Sequence, residues 1–189
     1  MAIDLHKHSA QESNNIIARR AAVRVVPTIN GTQYSNNDVL FDTTEIPNAV
    51  ASPGGASKLL NVTINSKSAS LFDILIWFFQ VNQSAGTINA AWNMSDADFF
   101  NAKNLGCLYM NGSGLQQNPG GGRVYTIMQG YAGFTGATKT YPQLPLILQA
   151  ATGSTSVYAA AKITSENDPG NTTPSFSVGD IELVFGIDY

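Results

Sequence analysis

The sequence predicts an all-β protein, an antiparallel sandwich or barrel, and three observations carry that expectation. Apolar residues alternate with polar ones over short stretches, as where Leu60, Val62 and Ile64 are set between Asn61, Thr63 and Asn65. A period of two puts such residues on one face of a strand. The stretches are cut at close intervals by turn clusters: Pro53-Gly54-Gly55, Gly112-Ser113-Gly114, Pro119 to Gly122, Gly133 to Gly136 and Asp168-Pro169-Gly170. No long segment keeps the 3.6-residue period of a helix, so a parallel βαβ sheet is not expected.

Residues 1–33 read as an extended N-terminal arm. They hold His6 and His8, a polar stretch from Ser9 to Asn15, and a β-branched run that enters a first strand near Ala22–Thr28. The β-domain is expected over residues 34–189. Its strands are read at Leu60–Ile64, Leu71–Val81, Leu105–Met110, Arg123–Gln129, Leu144–Ala150, Val157–Ile163 and Ile181–Ile187, and others bring the total to about eight to ten. One short helix is expected after Ser95, a good N-cap, with Asp96 and Asp98 in the first turn where the helix dipole favours acid.

Leu71–Val81 breaks the pattern of its neighbours. Phe72, Ile74, Ile76 and Phe78 line one face, while Leu71, Leu75, Trp77, Phe79 and Val81 line the other, with Asp73 the one charge. The outer face of a sandwich strand should be polar. This second apolar face therefore needs a cover: the arm, a long loop, or another subunit.

Composition narrows the function classes. Charged residues are 12% of the 189 and apolar ones 43%, so charge-driven disorder is excluded while a sizeable core is allowed. Ser, Thr and Asn make up about a quarter of the chain, which gives an uncharged polar surface. A net charge of −3 argues against a nucleic-acid binder. Cys107 is the one cysteine, so no internal disulfide framework is possible. The first twenty residues include Asp4, Glu12, Arg19 and Arg20 and no apolar run, so no export signal is expected. The longest apolar run, Ile74–Phe79, is far too short for a membrane helix.

Motifs that bear chemistry are weak. His6 and His8 have no acid or cysteine cluster nearby to complete a metal site. No Gly-x-Ser-x-Gly elbow exists for a nucleophile. Gly120-Gly121-Gly122-Arg123 lacks the Lys-Ser/Thr ending of a phosphate loop and reads as a hairpin loop. Asp96 and Asp98 serve the helix start, and Glu166 to Asn171 reads as a turn with too few carboxylates for calcium. Cys107 sits in a strand pattern as a small core residue. Arg19, Arg20 and Arg24 form the one basic cluster, read first as a solvated or docked face, with nucleic acid or an acidic partner surface as the alternatives. Tyr34, Tyr125, Tyr131, Tyr141, Tyr158 and Trp92 fall near turns or strand ends, where aromatics can pack or stack on sugars. The expectation is a non-enzyme without cofactor or metal.

Several segments together carry a resemblance. They are Tyr34-Ser-Asn-Asn-Asp38-Val-Leu, Ile46-Pro-Asn-Ala-Val50, Gly54-Gly55-Ala-Ser57-Lys-Leu59, Ser95-Asp-Ala-Asp98 and the ending Asp180-Ile-Glu-Leu-Val-Phe-Gly-Ile-Asp188. Across residues 34–189 the chain resembles tailed-bacteriophage capsid decoration (cement or auxiliary) proteins. The resemblance implies a jelly-roll sandwich, a virion capsid surface as location after synthesis in the host cytoplasm, and the major capsid protein as partner. It brings no catalytic residues. A homo-oligomer, most simply a trimer, would then close its contact over Leu71, Leu75, Trp77 and Phe79, with Arg19, Arg20 and Arg24 on the arm touching a neighbour. A head–tail or tail-fibre component and a carbohydrate-binding module are the rival expectations.

Overall fold

Alternation along the chain translates directly into two sheets packed face to face. The computed structural model describes residues 19–112, 116–128, 144–164 and 173–189. His6, His8, Tyr131, Tyr141, Gly133 to Gly136 and Glu166 to Asn171 lie outside the described residues. Within them the strands are β1 (Arg20–Val25), β2 (Val39–Ile46), β3 (Ala56–Ser66), β4 (Asp73–Phe79), β5 (Asn104–Met110), β6 (Gln116–Gln117), β7 (Arg123–Met128), β8 (Leu146–Gln149), β9 (Val157–Thr164) and β10 (Ile181–Asp188), with one helix, α1 (Asp96–Asn101).

One sheet runs β1-β10-β3-β7-β6, with β8 pairing the first half of β3 beside β7; the other runs β2-β9-β4-β5. Every pairing is antiparallel. Most sequence neighbours lie in opposite sheets, and β4 and β5 alone among the long strands are joined within one. That order, with β6 and β8 as short additions beside the main strands, is the double Greek key of a jelly roll.

The first strand is β1, hydrogen-bonded to β10 from Arg20↔Asp188 to Val25↔Leu183. Residues 20–25 are therefore the edge of the sandwich itself. Pro27, which has no N–H to give a ladder, stands just past its end. Strand β2 was not visible in the periodicity of its sequence. Its pairing with β9 shifts register between Val39 and Phe41 and again between Phe41 and Thr44, so Val39, Leu40 and Phe41 are all buried. Bulges erase the alternation that marks a strand.

The core lies between the sheets. Phe41, Phe72, Phe78, Phe185, Tyr34 and Tyr125 are among its fully buried large side chains. Phe78 of β4 meets Phe185 of β10 edge-on across the sandwich, with ring centroids 6.1 Å apart. At one end Phe72 contacts both Tyr125, at 4.8 Å, and Phe176, at 5.0 Å. Tilted and edge-to-face rings at these separations add to the stabilisation from burial alone.

Candidate interaction surfaces

A sandwich has two outer faces, and the chain treats them differently. On the four-stranded sheet, the outer row of β4 is Leu75, Trp77 and Phe79, flanked by Lys162, Ala160 and Tyr158 of β9 and by Tyr109 and Cys107 of β5. Residues 80–103 fold back over part of this face. Their inner side forms a second apolar cluster in which Ala85, Trp92, Met94, Phe99 and Ala102 pack with Trp77, Phe79, Tyr158 and Ala160. Phe99 meets Trp77 and Phe79 nearly perpendicular, at 5.1 and 5.8 Å.

Hydrogen bonds fix this cover to β2. Asp42 accepts from Ala85 N (2.6 Å) and from Ser84 Oγ (2.7 Å), while Thr43 Oγ1 donates to Gln83 O (2.5 Å). Val39 N donates to Ala90 O (2.8 Å), and Asn89 N donates back to Val39 O (2.9 Å). The segment thus also pairs with the start of an edge strand, a common way of blunting an edge. Helix α1 follows, capped as its sequence indicates: Ser95 Oγ accepts from Asp98 N at 3.1 Å.

Of the predicted contact residues, Trp77 and Phe79 therefore pack against the chain's own cover. Phe79 is fully buried, Leu75 is 8% exposed, and Trp77 and Leu71 are half-buried. Of the three covers open to this face in the sequence, a long loop of the chain itself is the one present over Trp77 and Phe79. Towards the other end of the same face Asp73 is buried, accepting from Tyr109 Oη and from Gly112 N at 2.7 Å, and Asn111 reaches the same hydroxyl. These bonds tie the end of β5 to the start of β4, and so explain the lone charge in that strand structurally.

The six-stranded sheet has no such cover among the described residues. Two rows cross its outer face nearly without charge: Ala22, Gly186, Asn61 and Met128, then Arg24, Val184, Thr63 and Thr126. Thr63 and Thr126 share a hydrogen bond of 3.1 Å, and Met128 and Ile147 on the same side are 63% and 53% exposed. Ala22 and Gly186 carry little or no side chain, so a shallow hollow of about 340 Å³ forms between Arg20, Leu60 and Asn61.

The arginines stand at the edge of this open face. Arg24 Nη1 donates to Glu182 at 3.0 Å and Arg20 Nε lies 3.6 Å from Asp188, with both arginine side chains exposed. Asn65 also donates to Glu182, at 2.8 Å. That bond, with Arg24, holds the Glu182 carboxyl below its ordinary range. Two of the three arginines are therefore matched by acids on the adjacent strand. Arg19 is exposed, and its carbonyl accepts from Tyr189 N at 3.0 Å. Cys107 lies half-buried on β5 opposite Trp77, and burial pushes its thiol up to about 11.

Sequence reasoning passed over the open face because Thr, Asn and Gly on a strand look like ordinary solvated positions. Only the sheet order brings Val184, Thr63 and Thr126 into one row. Comparison of the chain with family models, with curated proteins and with solved structures gave no match.

Proposed function

We propose that the chain is a structural subunit of a virion that binds the outside of a phage capsid and stabilises it by bridging capsid subunits. The observation that carries this reading is the unequal treatment of the two outer faces. Over Trp77 and Phe79 one face is closed by residues 80–103 of the same chain, whereas among the described residues the other presents an uncharged row, Ala22, Gly186, Asn61 and Met128, beside a row charged only at Arg24 and a third that runs Arg20, Asp188, Lys58 and Ile147. A sheet surface with few charges suits repeated protein contacts, in which many modest interactions add through multivalency. The jelly roll itself contributes an analogy, since viral capsid and lectin domains share it. The sequence resemblance to decoration proteins supports the same reading. In it, copies of the chain associate through the face of the six-stranded sheet, with the Arg20–Asp188 and Arg24–Glu182 pairs at its rim.

Methionine oxidation provides a direct test. Met128 sits on the open face and Met94 within the cover of the other sheet. Hydroxyl-radical footprinting at rising protein concentration should protect Met128 progressively while leaving the slower Met94 unchanged. Full oxidation of Met128 at every concentration would remove this face from the contact.

A further inference from the structure

One cleft differs from both outer faces in its chemistry. It opens where the end of α1 meets β5 and β8, has a volume of about 540 Å³, and is lined by Phe100, Gln80, Lys103, Asn104 and Gln149. That is the size range of small-ligand sites. Phe99 and Phe100 are consecutive, yet the helix puts them to opposite uses. Phe99 is locked edge-on against Trp77 and Phe79, while Phe100 is 78% exposed. The buried ring anchors the helix, so the exposed ring is presented from an element fixed to the sheet.

Carboxamides surround that ring. Gln80 Nε2 donates to Ala150 O at 3.1 Å, which orients the amide and leaves Oε1 to accept. Asn104 Oδ1 accepts from Gly106 N at 3.1 Å, leaving its NH2 to donate. Lys103 follows the helix C-cap Ala102 with φ 57, the left-handed conformation for which glycine is the usual occupant. Its carbonyl accepts from Gln80 N at 3.1 Å, so the backbone of the two residues is joined. A lysine held in this conformation by its surroundings points to a use for its side chain. Its ammonium has no ion-pair partner among the described residues.

We propose that this cleft binds a saccharide. A pyranose ring stacks its C–H face on Phe100, and its hydroxyls are shared among Gln80, Asn104 and Lys103. Hydroxyls donate and accept at once, as carboxamides do, so every polar group finds a complement. A polyanion would find a single cation. The inference stands apart from the subunit role, because glycan retention and solution mass are separate readouts.

The test is an array of immobilised oligosaccharides ending in glucose, galactose, mannose or N-acetylglucosamine, probed with the full chain, Phe100→Ala and Lys103→Gly. The full chain should be retained on at least one terminal sugar. Phe100→Ala should lose about tenfold in retention at unchanged melting temperature, as expected for an exposed contact side chain. Lys103→Gly should melt higher, since glycine suits the position, and yet bind more weakly. No retention on any sugar overturns the proposal, and so does equal retention by Phe100→Ala. A Phe100→Ala chain whose solution mass changes would mark the ring as a protein contact and overturn it equally.

Discussion

Glu182 shows how single side chains set the behaviour of this fold. Asn65 and then Arg24 lower its pKa in the folded state below the ordinary 4.5. A depressed carboxyl pKa contributes stability that is present above the unfolded value and is lost as pH falls through the folded one. Thermal melts of the native chain should therefore decline more steeply below about pH 4.5 than those of Glu182→Gln, a difference that salt narrows only by the share owed to Arg24, because the Asn65 hydrogen bond is not an ion pair. Cys107 supplies the opposite sign: with its thiol raised to about 11 by burial it stays protonated at pH 8, so a disulfide reagent should label it slowly in the native state and quickly in denaturant. In the core, Phe78 meets Phe185 between the sheets, and Phe78→Ala should cost about 3–5 kcal/mol by urea titration. These core positions were legible in the sequence, because Ile74, Ile76 and Phe78 share one side of a period-two pattern. The partners of Glu182 were not, since Asn65 is 117 positions away and only strand pairing brings them together.

Elements were legible to the degree that their patterns were regular. β3, β9 and β10 alternate and could be read from sequence, and the helix start announced itself through Ser95, Asp96 and Asp98. β2 could not, because its two register shifts bury Val39, Leu40 and Phe41 in succession. The apolar second face of β4 signalled correctly that a cover was required. It could not tell a subunit from a loop, since Phe99 and Trp92 look equally apolar in either role. The segment over residues 80–103 therefore deserves two substitutions. Ser95→Ala removes the hydrogen bond to Asp98 N and should cost about 1 kcal/mol. Phe99→Ala strips the ring from Trp77 and should cost about 2 kcal/mol while shifting tryptophan emission to longer wavelength.

At the scale of the molecule, alternation establishes two layers but not the order of strands within them. The resemblance to decoration proteins implied a jelly roll, and the pairing β1-β10-β3-β7 with β2-β9-β4-β5 has that order. The order matters for function because it decides which residues share a face. It takes Trp77 and Phe79 inside and lays Val184, Thr63 and Thr126 side by side on the open sheet. In the proposed role this open sheet is the surface through which the subunit assembles. The most direct measurement is solution mass by size-exclusion chromatography with light scattering, on the full chain and on Thr63→Arg. An arginine there places charge between Val184 and Thr126, in the middle of the open face, without entering the core. The full chain should be a homo-oligomer, most simply a trimer, and Thr63→Arg should be a folded monomer that melts lower by the stabilisation lost with assembly. A native monomer, or an oligomer indifferent to the substitution, would contradict it.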